Sequence, residues 1–173
     1  LMISLYGEQD GKKFEKVLTW KHCETKQDFV ECFEDEAEML EKFIEYVRDY
    51  NPDILTGYFS DGFDLPYLKA IAERHKIKLS LGLNDSQPTF ARGRISSGKI
   101  FGIVHIDLFR FIESVYSQYL QSETLGLNDV ASELIQEEKH DFDFAKLSNM
   151  KKQDWHDFFE YNLHDSRITY KLL

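Results

Sequence analysis

DILTGYFSDGFDLPYL (residues 53–68) changes character halfway along. DILTGYF is a short apolar run rich in β-forming residues, the pattern of a buried strand. After it, Leu65, Leu68, Ile71 and Ala72 recur at helical spacing, and Pro66 sits in the first turn, where its missing N–H costs nothing. A strand feeding straight into a helix is a unit of an α/β domain. The joint holds two aspartates. Asp64 suits the N-cap of the coming helix. A carboxylate at the carboxyl end of a buried strand also stands where open α/β sheets bind their ligands. Asp61 reads as a solvated turn residue. Locally, Asp64 is open to both readings, cap and site.

Ahead of this joint, LMISLYG and KVLTWKH read as two strands around EQDGKK, where Asp10-Gly11 is a hairpin signal. From Asp35 the period becomes helical: Met39, Leu40, Phe43, Ile44 and Val47 share one face, and Asn51-Pro52 ends the run. Beyond the joint, FARGRI and KIFGIVHIDLF read as a hairpin around Ser96-Ser97-Gly98, the second arm entering a helix through LFRFIESVYSQYL. TLGLNDVASELI is a short amphipathic helix, EEKHDFDF a charged loop, and Asp154 to Leu173 a closing helix. Together these predict an α/β domain with a mixed central sheet.

The 173 residues show no linker or repeat, so 1–173 is expected to be a single domain. No apolar run approaches the roughly 20 residues of a membrane span, and the start has no basic leader, so neither a membrane partner nor secretion is expected. Cys23 and Cys32 have no CxxC or His-rich company, which points to reduced thiols and an intracellular location. A net charge of −10 argues against a DNA-binding module held by phosphate attraction over its whole surface. It does not exclude a nuclease whose carboxylates hold metal ions.

The closing helix adds a second candidate. Phe158, Tyr161, Ile168 and Leu172 form one stripe, and Asp165 falls on it. An inward carboxylate is unfavourable unless paired or metal-bound, and Tyr161 stands one turn before it. Asp64 and Asp165 on separate elements suggest an oxygen-ligand site for Mg²⁺ or Mn²⁺. Two carboxylates are too few for the pair of ions used in two-metal hydrolysis. His105 and Asp107, in HID, are expected to satisfy backbone groups or cap the next helix. His75, His105, His140, His156 and His164 share no metal-ligand spacing with one another, and Lys151/Lys152 read as solvated.

These segments, in this order, resemble the 3′–5′ exonuclease domain of family B DNA polymerases, particularly archaeal ones. LMISLYG…KVLTW is similar to that domain's second and third strands, NPDILTGYFSDGFDLPYL to its second motif, and GKIFGIVHIDLFRFI to the passage after its β-hairpin. TLGLNDVASELIQEEKHDFDF resembles a characteristic helix and loop, and YNLHDSRITYKL the third motif, YxxxD. The resemblance implies an RNase H-like, DEDD-type fold with a mixed central sheet, helices on both faces and an inserted β-hairpin. It implies metal positions at Asp64 and Asp165, a catalytic role for Tyr161 beside them, and Mg²⁺ or Mn²⁺ as cofactor. It makes Phe59 and Phe63 the candidates for touching substrate, and a single-stranded DNA 3′ end and a polymerase domain the partners.

Two departures stand out. Nothing in the chain fills the first motif, a strand carrying D-x-E, so the sequence reads as a fragment starting after it. Such a fragment is expected to hydrolyse weakly and to offer a sheet edge for self-association. Phe59 and Ser60 replace the family's usual asparagine and glycine, and this keeps open a degenerate, non-catalytic domain acting as scaffold. A stand-alone RNase H-like nuclease is a third reading.

Overall fold

A computed structural model describes residues 2–21, 25–91, 97–137, 142, 143, 145 and 149–173. Cys23, His140 and Ser96 lie outside the described residues, as does much of the EEKHDFDF loop. The chain divides into two units, Leu1–Met39 with Tyr119–Leu173, and Leu40–Gln118.

The first unit is built on the expected hairpin. Strands β1 (Met2–Gln9) and β2 (Lys12–Thr19) pair antiparallel from Met2↔Thr19 to Gln9↔Lys12. The two linking residues, Asp10 and Gly11, have φ of 52° and 72°, the left-handed pair of a tight hairpin turn. Strand β3 (Val30–Cys32) adds to β2 in parallel, giving a mixed three-stranded sheet. Helix α5 (Lys152–Leu172) packs on β1 and β2, with Phe159 and Leu163 fully buried around Val17. Ser4 ties β1 to this helix through the Asn162 carbonyl (2.9 Å) and the Ser166 hydroxyl (2.6 Å). Arg167 forms a bidentate pair with Glu15 of β2, at 2.9 Å for both bonds. Helix α4 (Leu127–Ile135) buries Val130 and Ala131.

Helix α1 (Glu36–Tyr50) belongs mostly to the second unit. Its expected stripe of Met39, Leu40, Phe43, Ile44 and Val47 is buried throughout. It stops where foreseen: Asn51 takes φ 47° ahead of Pro52. Strand β4 (Ile54–Gly57) follows, then α2 (Asp64–His75), which buries Leu65, Leu68, Ile71 and Ala72. Strand β7 (Val104–Asp107) lies parallel to β4 and leads directly into α3 (Leu108–Val115).

Two expectations change. Strands β5 (Thr89–Ala91) and β6 (Ser97–Lys99) pair antiparallel, yet Ser97 and Gly98 stand inside the ladder, opposite Ala91 and Phe90, rather than in a turn. The arm KIFGIVHIDLF is also not one strand. It folds back between Ile100 and Ile103, with Gly102 at φ 81°, and only then begins β7. In place of one central sheet, the described strands hydrogen-bond in three sets: β1-β2-β3, β4-β7 and β5-β6.

Candidate active site

In the second unit the site is organised by the pairing of Gly57 with Asp107, which sets the carboxyl ends of β4 and β7 side by side. After Gly57 the chain reverses sharply. Phe59 takes φ 65°, a left-handed conformation unfavourable for a bulky side chain. Asp107 holds this reversal. One carboxylate oxygen accepts the N–H of Phe59 (3.1 Å) and of Arg110 (3.3 Å), and the other accepts that of Asp61 (2.9 Å). The Arg110 bond makes Asp107 the N-cap of α3, as expected from HID. The two bonds to the reversal satisfy backbone groups, also as expected; which groups they are, the N–H groups of Phe59 and Asp61, is what sequence alone does not disclose.

Asp61 is buried, not a solvated turn residue. Its carboxylate accepts the Gly98 N–H at 2.5 Å and lies 3.6 Å from Nδ1 of the buried His105. That Nδ1 is 3.1 Å from the Gly98 carbonyl and so must donate to it, while Nε2 bonds the Ser60 hydroxyl at 3.0 Å. Burial of Asp61 is tolerable because one of its carboxylate oxygens accepts the Gly98 N–H. The sequence signal was faint: a serine and an aspartate in a turn, and a histidine on a strand, with no local hint that they meet.

Asp64 begins α2 but does not cap it. The cap position is Phe63, without a side-chain bond, and Asp64 is the first helical residue. A carboxylate in the first turn favours the helix dipole, yet the pKa of Asp64 is raised. Desolvation is the larger cause and the charge of Asp107 the next, partly offset by the bond from its own N–H. By surface area the residue is exposed, so the desolvation comes from protein crowding one side of the carboxyl rather than from enclosure. That crowding is visible at Gly57: a methyl group added there would lie 3.8 Å from an Asp64 carboxylate oxygen.

The aromatic candidates flank this joint. The Phe59 ring lies on Gly62, where an added methyl would come within 2.3 Å of it. It meets Phe109 edge-on at 5.2 Å, with the Arg110 guanidinium 5.4 Å from its centroid. Phe63 is 58% exposed and stacks on Tyr67.

In the first unit, α5 carries Tyr161 and Asp165 one turn apart, both half-buried. Of the expected stripe, Ile168 is fully buried while Phe158, Tyr161 and Leu172 are half-buried; Phe159 and Leu163, which the stripe omits, are fully buried as well. Tyr161 sits among half-buried rings, parallel to Phe158 and 6.0 Å from Phe142. The Asp165 carbonyl accepts the Thr169 hydroxyl at 2.7 Å.

The donor chemistry suits a hard cation. Asp64 offers oxygen ligands not spent on capping, and a carboxylate crowded by like charge gains most from a cation. The fit is partial, because among the described residues no three His, Cys, Asp or Glu side chains converge as a metal-holding group.

The chain is similar in sequence to known proteins. The model of the DNA polymerase family B exonuclease domain matches residues 1–129. The DNA polymerase of Pyrococcus glycovorans is 39% identical over 113 residues, covering 65% of this chain and 14% of that protein. The DNA polymerase of Methanocaldococcus jannaschii is 32% identical over 173 residues, covering 99% of this chain and 10% of that protein. That of Thermococcus gorgonarius is 28% identical over 179 residues, covering 99% and 21%. The chain thus spans no more than about a fifth of these relatives. A match over residues 1–129 of 173 establishes the relationship: the chain belongs to the exonuclease domain family of the family B DNA polymerases.

Proposed function

We propose that this chain is the 3′–5′ exonuclease part of a family B DNA polymerase, removing nucleotides from single-stranded DNA 3′ ends for proofreading during replication. Residues 1–173 read as a single exonuclease-like domain of RNase H-like fold, with the helices on both faces and the inserted β-hairpin that the family resemblance implies. The observation that carries the reading is Asp64: a strand-end carboxylate that begins a helix without capping it, and whose ionised form its surroundings disfavour until a cation arrives. By the family resemblance, Asp165 would be a metal position and Tyr161 would orient the attacking water and the scissile phosphate. Bound Mg²⁺ or Mn²⁺ would supply activation of water and stabilisation of the leaving oxygen. Phe59 and Phe63, both partly exposed beside Asp64, are the side chains that would touch a terminal base. The setting is intracellular, with a polymerase domain as partner in the parent protein. The outer edge of β1, which has no partner strand among the described residues, is where another strand or copy would add.

Without a D-x-E strand the chain is expected to hydrolyse weakly or not at all. The test is a 3′-labelled primer with Mn²⁺, using the chain alone and preceded by a D-x-E strand. The extended protein should shorten the primer, and Asp64→Ala or Asp165→Ala should abolish this. Degradation by the chain alone that survives Asp165→Ala would overturn the site assignment. Phe59 favours the alternative, a non-catalytic scaffold, since it replaces the family's asparagine; an extended protein inert with either metal would support it.

A further inference from the structure

The residues preceding Asp64 are not a free loop. Phe59, Ser60 and Asp61 are each held by groups on β6 or β7: Phe59 and Asp61 through their N–H groups to Asp107, Ser60 through its hydroxyl to His105, and Asp61 through its carboxylate to the Gly98 N–H. The Ser60 carbonyl then accepts the N–H of Leu65 at 3.0 Å, joining the held segment to the first turn of α2. Capping α3 would need only the bond to Arg110. The carboxylate instead spans three backbone donors on two segments, and it is 6% exposed. It also anchors the residue whose backbone is least favourable, Phe59.

We propose that Asp107 is a positioning residue for the metal site: it locks the 59–61 reversal and so fixes where Asp64 leaves β4 and enters α2. Its oxygens are committed to N–H donors, so it acts through Asp64 rather than as a ligand itself. This rests on the reading of Asp64 as a metal position.

The experiment titrates the chain with Mn²⁺ and follows paramagnetic broadening of the Asp64 and Leu65 amide signals. Asp107→Asn is isosteric but turns an amide nitrogen toward the Asp61 N–H. It should raise the Mn²⁺ concentration for half-broadening about tenfold, the loss typical of disrupting groups that orient a ligand. Phe59 and Asp61 amides should lose exchange protection while unfolding stays cooperative. Phe59→Gly in the same background should recover part of the affinity, because glycine accepts the left-handed φ without help. Should Asp107→Asn fail to fold, Asp107→Ser keeps a cap for α3 but cannot reach residues 59 and 61, and the same weakening is expected. Unchanged half-broadening despite lost protection at Phe59 and Asp61 would overturn the proposal and leave Asp64 intact as a metal position. Absence of any broadening at Asp64 in the unsubstituted chain would overturn the metal reading and this proposal with it.

Discussion

Two of the turns that need left-handed residues meet the requirement in opposite ways. At the β1–β2 turn the requirement falls on Asp10 and Gly11, residue types that adopt such angles at little cost. At the reversal after β4 it falls on Phe59, a residue type that resists it. The first turn carries its conformation in its own sequence. The second borrows it from Asp107, 48 positions away. A turn that cannot hold itself must be held, and here the holding occurs beside the residue read as a metal position. Strain of this kind accumulates where function needs a side chain in one place.

The largest expected effect is on the borrowed turn. Asp107→Ala leaves the N–H groups of Phe59, Asp61 and Arg110 without their acceptor in a buried setting, and should cost about 3 kcal/mol or more. Chemical denaturation checks this; a loss under about 1 kcal/mol would mean that water replaces the carboxylate easily. Next is Gly62→Ala, which forces a methyl into the Phe59 ring and should cost about 2 kcal/mol. Because the ring causes the conflict, the cost should fall below about 0.5 kcal/mol in a Phe59→Asn background, a coupling that a double-mutant cycle measures. Gly11→Ala serves as the contrast. Nothing lies within 4 Å of the added methyl, so only the φ of 72° is penalised. About 1 kcal/mol is expected, independent of any change at residues 59–64.

The same contrast explains what was legible beforehand. Features encoded by neighbouring residues came through: the Asp10-Gly11 hairpin, the buried face of α1, its stop at Asn51-Pro52, and the four buried positions of α2. Features made by distant residues did not. Asp61 looked like a solvent residue because the Gly98 N–H that donates to its carboxylate is 37 positions on. Asp64 looked like a cap because composition cannot show that the cap position falls on Phe63. The arm after residue 98 looked continuous because its apolar pattern persists through the turn at Gly102. On α5 the expected stripe found the buried Ile168 but missed Phe159 and Leu163, which are buried because they pack on Val17 of β2. The family resemblance rested on ordered short motifs, and these survive such local errors.

The smallest expected effect concerns acidity, where two carboxylates should respond in opposite directions. Glu15 is held below its ordinary value of 4.5, chiefly by its hydrogen bonds from Arg167. Its contribution is therefore present above that value and lost as pH falls through the lowered one; for a partly exposed pair this is about 0.5 kcal/mol. Asp64 is raised above 3.8, chiefly by desolvation and then by Asp107. The folded chain holds its proton more tightly than the unfolded chain does, so stability declines as pH rises from 3.8 through the raised value. Asp64→Asn should remove that decline, whereas Glu15→Gln should remove the acid-side loss, in denaturation curves collected from acid to neutral pH. Saturating Mn²⁺ should reverse the Asp64 slope, since an ion that binds only the ionised carboxylate adds stability as the proton leaves. It should leave the Glu15 response unchanged. A Mn²⁺ effect of equal size in Asp64→Asn would place the ion elsewhere and remove the functional distinction between the two turns.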